Sequence, residues 1–392
     1  MNSVKEKRII QEYCCGCGLC KSIYGINFKV SDGFYQPVID DKYSEQLRKI
    51  CPSITAPKRN KEGLYGVYLE SYLGYSLNPD IRKKGSSGGI LTSLAIMLLE
   101  QGKVDGVLHI GADDKIPWKT KLYCSRNKNE IINNAGSRYA QSLSLDTIYD
   151  YLNSNNRYLL IAKPCDIRAM RNYAMIDERV DRKIPYMFSF FCMGTPSITA
   201  NEKLITELGC SIDECISLKY RGDGWPGYAI AVDKDENEHR MTYNQSWGKI
   251  LGRDLRKYCR FCMDGMGEAS DVSCGDAWFL DEDNKPIFEE REGRNVIFAR
   301  TSKGKNILKE AYNLEYINIS DFDDVSSLKY MQKSQINRKS YMLFRQLGMR
   351  IAHRVCPTYR LSFLTSLAKN GTISGGFNEL IGTLSRIKKK KL

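Results

Sequence analysis

The sequence predicts an α/β fold in three parts: a small cysteine-rich N-terminal module, a mixed-sheet α/β body and a helical basic extension. Three observations carry this. Cysteines 14, 17, 20 and 51 share one short, turn-rich segment. From about 64 to 320, apolar strand-like runs alternate with helical stretches, the pattern of an α/β sheet. Residues 328–392 hold 14 of the 59 Lys+Arg but only one acid, Glu379, so the extension carries the net charge of +13 and the rest is neutral. The expected boundaries are 1–60, 61–327 and 328–392, with the polar stretch Pro57–Asn60 closing the first part.

In the first part, Cys14-Cys15-Gly16-Cys17-Gly18-Leu19-Cys20 gives three cysteines at C-x2-C-x2-C spacing, and Cys51-Pro52 supplies a fourth. In a two-cluster ferredoxin run, C-x2-C-x2-C-x3-C-P, the fourth cysteine ligates the other cluster. The fourth position of the first run is Tyr24 here, and the three positions counted back from Cys51 are Asp41, Ser44 and Leu47. The missing ligands all belong to one cluster and the retained ones to the other. The module therefore reads as ferredoxin-like, with one [4Fe-4S] cluster on Cys14, Cys17, Cys20 and Cys51.

In the body, strand-like runs are expected at Ser71–Leu77, Gly106–Ile110, Tyr158–Ile161, Tyr186–Phe191, Tyr228–Val232 and Asn295–Ala299. Helices are expected at Gly89–Gln101, Asp166–Tyr173, Ser197–Leu208 and Lys305–Ala311, and mainly parallel pairing between the strands. Cys165 and Cys192 each follow a strand-like run, where open α/β sheets bind ligands, and Cys259 and Cys262 form a C-x2-C. These four read either as a second four-thiolate site or as buried small apolar residues. Cys15, Cys124, Cys210, Cys215, Cys274 and Cys356 have no partner spacing and read as structural, and His109, His239 and His353 share no ligand spacing.

Gly85-Ser86-Ser87-Gly88-Gly89 runs into a helical stretch, which suits a cradle for the pyrophosphate of a dinucleotide such as FAD; the plain alternative is a turn with a serine cap. Ser137, Arg138, Tyr139 and Gln141 crowd a cation, a ring and hydrogen-bonding groups into one segment, suited to a flavin contact, and Gly275–Trp278 is similar. Gly222-Asp223-Gly224-Trp225-Pro226-Gly227 matches G-x-G-x-x-G by letters, but a strand-like run follows it, so it is rejected as a nicotinamide fingerprint. Arg221 and Trp225 remain candidates to line a site through charge and stacking.

The order of these motifs resembles the coenzyme F-420 hydrogenase/dehydrogenase beta-subunit family over residues 14 to about 280: Ser86–Gly89, Gly136–Tyr139, Pro164-Cys165, Cys192–Gly194, Gly224–Gly227, Cys259/Cys262 and Gly275–Trp278. The resemblance implies an FAD-bearing iron–sulfur oxidoreductase with a second [4Fe-4S] cluster on Cys165, Cys192, Cys259 and Cys262. Ser86, Ser87, Gly88, Gly89, Ser137, Arg138, Tyr139, Gln141, Lys163 and Trp225 are then the expected flavin contacts. Lys163, Arg138 and Arg221 are the expected catalytic charges, stabilising the anionic reduced flavin. The family's threonine, glutamine and histidine are replaced by Lys163, Asp166 and Met193, so its deazaflavin specificity does not carry over. The expected function is electron transfer between a one-electron donor such as ferredoxin, or a deazaflavin, and a substrate or partner. The alternatives are an electron-transfer subunit without its own substrate and a zinc-stapled binding protein.

The N-terminus shows no signal-like apolar stretch, and the longest apolar run, Ile90–Leu99, is far short of the roughly 20 residues that span a bilayer. A cytoplasmic protein is expected, peripheral to the inner membrane face if the extension touches lipid. Phe344, Leu347, Ile351 and Val355 fall at helical spacing beside Arg345, Arg350 and Arg354, and Lys388–Lys391 follow. An anionic membrane or an acidic ferredoxin fits this segment, as does a solvated helix packed on the body; nucleic acid ranks last.

Overall fold

The structure is a computed structural model and describes residues 3–54, 63–389 and 392. Pro57–Asn60 with the boundary expected there, and Lys390 and Lys391, lie outside the described residues. The strands are β1 (Phe28–Ser31), β2 (Phe34–Pro37), β3 (Glu70–Ser76), β4 (Gly106–Ala112), β5 (Thr120–Ser125), β6 (Tyr158–Ala162), β7 (Tyr186–Phe190), β8 (Ser217–Lys219), β9 (Tyr228–Val232), β10 (Glu238–Thr242), β11 (Val272–Asp276), β12 (Asn295–Ala299) and β13 (Ile317–Asp321).

Eight strands form one sheet in the order β13-β3-β12-β11-β7-β6-β4-β5. Only its centre, β11-β7-β6-β4, is parallel; both flanks are antiparallel. The sheet is therefore mixed, and less parallel than the alternation suggests. The reason lies in the connections. β4 reaches β5 through a short turn and β11 reaches β12 without a helix, so neither pair has the crossover that parallel strands need. The expected run Tyr228–Val232 is a strand, but it belongs to a separate antiparallel sheet, β10-β9-β8.

Side chains alternate across the central strands, so the sheet has two cores. Leu159 of β6 and Phe188 of β7 face a core with helix Ile90–Glu100, which is apolar nearly all round and buried along most of its length, and with helix Ser302–Asn313. Tyr158 and Leu160 of β6 and Met187 of β7 face the opposite core. This core is built by helix Pro164–Ala174, by Tyr13, Leu19 and Ile50 of the N-terminal module, and by Met342, Met349, Leu364 and Leu367 of the extension.

The N-terminal module is a helix Ser3–Glu12, a helix Leu19–Tyr24, the β1-β2 hairpin and a helix Ser44–Ile50 that delivers Cys51. The extension folds into helices Leu328–Met331, Lys333–Ser340, Met342–Ile351, Leu361–Ala368 and Ile373–Lys388. A buried Lys339–Glu268 ion pair ties it to the body, and Tyr13 Oη donates to the Val355 carbonyl at 2.8 Å. No helix among the described residues is long and apolar enough to cross a membrane.

Candidate functional site

The thiols gather in two adjoining places. Cys14, Cys17, Cys20 and Cys51 line one small apolar chamber, walled by Ile10, Leu19, Ile39, Leu47 and Ile50. Gly16 and Gly18 both take left-handed φ (+74° and +82°), which lets the loop curl its cysteines inward; a Cβ on Gly16 would also strike the Arg256 guanidinium at 2.8 Å. Burial pushes the Cys51 thiol up to about 12, with the Cys14 thiol adding to it. Against its hydrogen bond with Cys15, burial pushes Cys17 up to about 11.

Cys165, in the first turn of helix Pro164–Ala174, lies within electrostatic reach of Cys192, past the end of β7, and of Cys262, at the end of helix Lys257–Phe261. Cys259 neighbours Cys192 and Cys262, and its Sγ accepts from the Thr195 amide at 3.4 Å. Burial, with Cys259 next, pushes Cys192 up to about 12. Cys15, which spacing alone marks as structural, is coupled electrostatically to both Cys17 and Cys165 and so stands between the two sets. No group of three or more His, Cys, Asp or Glu among the described residues is arranged to hold a single metal ion. A polynuclear cluster spaces its thiolates more widely than one ion does, and two all-cysteine sets, each part buried and part half-buried, suit that chemistry.

Cys192 also lines a cavity of about 430 Å³ at the carboxyl ends of the parallel strands. Gly85, Ser86, Ser87 and Gly89 form one wall. Gly89 caps helix Ile90–Glu100 at φ +78°, and a Cβ on Gly88 would collide with the Gly74 carbonyl at 2.8 Å, so the turn presses against the sheet and aims the helix start at the cavity. Ser86 Oγ accepts from the Ser137 amide at 2.5 Å, which joins this turn to the second wall, Gly136–Ala140. Arg138 is held by the carbonyls of Pro117, Lys119 and Leu218, while its buried Nε has no partner among the described residues.

Lys163 and Arg221 both reach the cavity, and both are committed. Lys163 Nζ lies 2.8 Å from Asp166 Oδ2 and donates to Ser142 and Ser144; burial opposes its charge, but Asp166 holds its pKa above the ordinary value. Arg221 pairs with Asp276 at 2.9 and 3.2 Å and lies 5.5 Å from the Trp278 ring centre. Trp225 does not line the cavity. It stacks on Trp278 (centroids 4.6 Å apart, planes 8° apart) and donates to Asp276 at 2.8 Å, so it supports the wall from behind. Gln141 and Gly88 also lie outside the lining; Gln141 is buried between Arg256 and the Pro196 carbonyl. An aromatic wall of Tyr243, Trp247 and Trp278 and the segment Tyr330–Ser334 complete the lining. Only Trp278 had a sequence motif; Tyr330–Ser334 follows no glycine or cysteine pattern and is placed by tertiary packing.

The cavity's size, its helix start and its hydroxyl and aromatic lining fit a flavin dinucleotide, with Ser86, Ser87, Gly89, Ser137, Arg138 and Tyr139 as the residues that would hold it.

The motif order finds its match among known proteins. The family model for the N-terminal part of the Coenzyme F420 hydrogenase/dehydrogenase beta subunit matches residues 71–148, and the model for the C-terminal part matches residues 155–325. The chain is 25% identical over 303 residues to Coenzyme F420 hydrogenase subunit beta of Methanococcus voltae, across 74% of this chain and 99% of that one. It is 23% identical to Coenzyme F420-dependent sulfite reductase of Methanocaldococcus jannaschii, across 83% of this chain but only 50% of that protein, and 29% identical to F420-dependent formate dehydrogenase 1 subunit beta of Methanococcus maripaludis, across 63% and 60%. Among solved structures, a chain of the xenon-derivatised F420-reducing [NiFe] hydrogenase complex from Methanosarcina barkeri shares the fold (TM-score 0.57, 20% identity, 74% of this chain and 97% of that one). The chain belongs to the coenzyme F420 hydrogenase/dehydrogenase beta-subunit family.

Proposed function

We propose that this protein is an iron–sulfur flavoprotein oxidoreductase that passes electrons between a one-electron protein donor, such as ferredoxin, and a two-electron substrate or partner. One observation carries the reading: the outer cysteines, Cys15, the inner cysteines and the cavity follow one another in space, with Cys15 in electrostatic reach of Cys17 and Cys165 and with Cys192 lining the cavity. Two [4Fe-4S] clusters would carry single electrons, and FAD would convert them to pairs. The chain's own residues supply the setting. Lys163 and Arg221 place the cationic ends of two fixed ion pairs at the cavity, where burial strengthens their local fields. The Asp166 and Asp276 carboxylates hold those cations in place. Lys163, Asp166 and Met193, which replace the family's usual residues, lie in or against this cavity, which argues for a substrate other than a deazaflavin.

The relatives named as beta subunits support a second form of the same reading, an electron-transfer subunit that works inside a complex. The zinc-stapled alternative draws no support from the family.

Anaerobic purification with iron, sulfide and flavin assays tests the proposal. The expected content is about eight irons, about eight sulfides and one FAD per chain. Cys14→Ala and Cys192→Ala should each remove about four irons, and Cys124→Ala none. A protein with about four irons, unaltered by Cys192→Ala, would remove the inner cluster.

A further inference from the structure

We propose that helices Met342–Ile351 and Ile373–Lys388 form a docking face for an anionic lipid bilayer. The two helices run parallel: Phe344 meets Gly376, Arg345 pairs with Glu379 at 2.9 Å, and Gly348 meets Leu380 and Thr383. One side of the pair faces the body, because Arg345 also donates to the Arg260 carbonyl. The other side carries Leu347 and Ile351 from the first helix and Ile373, Phe377 and Ile381 from the second, each one turn from the next. These five are 44, 54, 77, 55 and 63% exposed. With 100° between successive residues, both stripes fall on the same side of the helix–helix contact. The rings of Phe344 and Phe377, 6.2 Å apart, join them into one face. Single exposed apolar residues need no explanation; five on one face of two helices do.

Charge selects the occupant. Glu379 is the extension's only acid, and it is consumed by Arg345 and Arg386 on the inner side. Arg350 and Lys388 flank the apolar stripes and are exposed. An apolar band beside cations, with no carboxylate of the extension left over, matches the acyl–headgroup boundary of an anionic leaflet. An acidic protein would leave the five apolar side chains against charge.

The test is sedimentation of the full-length protein with phosphatidylcholine vesicles containing roughly 30% phosphatidylglycerol. It should pellet with these vesicles, not with phosphatidylcholine alone, and less as salt rises. The double variant Phe377→Ser/Ile381→Ser alters only exposed side chains, so cofactor content and thermal unfolding should hold while vesicle affinity falls roughly tenfold or more. Failure of the unaltered protein to pellet would overturn the proposal, as would equal pelleting on neutral vesicles or undiminished pelleting of the double variant. A dimer in solution that the double variant dissolves would assign the face to a second copy instead.

Discussion

Arg221 shows how one side chain serves several walls at once. It is buried, bonds Asp276 twice, donates to the Pro226 carbonyl at 3.1 Å and lies over Tyr243. Arg221→Met should therefore cost about 3–5 kcal/mol of stability in denaturant unfolding, because it strands the Asp276 carboxylate among aromatic rings. Arg221→Lys should recover little, since an ammonium cannot reproduce the two-pronged bond or the stacking. This residue could be singled out from sequence because it precedes a glycine-rich turn beside a tryptophan. Trp225 could be singled out too, but not its place behind Trp278, because side-chain layering depends on how two turns far apart in sequence meet. Cys15 was legible only as a spacer: its electrostatic coupling to Cys165 joins residues 150 positions apart.

At the scale of elements, strands of strong apolar pattern were legible to within a residue or two, as β6, β9 and β12 show. The strands that pattern alone did not reveal, β1, β2, β5, β8, β10, β11 and β13, are short or partly polar, and pairing rather than propensity holds them. The extension's helical character and basic charge were also visible, but its packing was not. Helix Lys333–Ser340 is fixed by Lys339 on Glu268, by Gln335 donating to the Cys192 carbonyl at 2.5 Å and by Arg338 donating to the Met193 carbonyl at 2.6 Å. Burial disfavours the Glu268 carboxylate, yet Lys339 and Arg300 hold its pKa below the usual carboxylate value. The sign follows: the pair stabilises above the unfolded carboxylate pKa of about 4.3 and is lost as pH falls through the folded value. Lys339→Met should strip the buried Glu268 of its directly bonded cation, leaving Arg300 and Arg168 at longer range, cost about 3 kcal/mol and raise hydrogen exchange across 333–340 before the rest of the chain.

Across the whole molecule, His109 is a buried liability. It lines the cavity and bonds Ser125 at 2.8 Å, and burial lowers its pKa from 6.5 to about 4. The folded chain keeps it neutral where the unfolded chain would protonate it, so stability is present above pH 6.5 and drains as pH falls toward 4, by about 3 kcal/mol. His109→Gln should flatten the unfolding midpoint over that window, and an unchanged pH profile would assign the loss elsewhere.

The order of the large sheet also sets a timetable. β3 lies between β12 and β13, so the first strand made closes against the last two. Leu73 meets its partner Val296 roughly 220 residues later, which at ribosomal speed is roughly 10–45 s of synthesis. During that interval the outer cysteines are already outside the ribosome while Cys165 to Cys262 are still arriving and the sheet has an open edge. Newborn chains should therefore depend on chaperones and on an orderly supply of iron and sulfide, with the N-terminal thiols exposed to oxidation first.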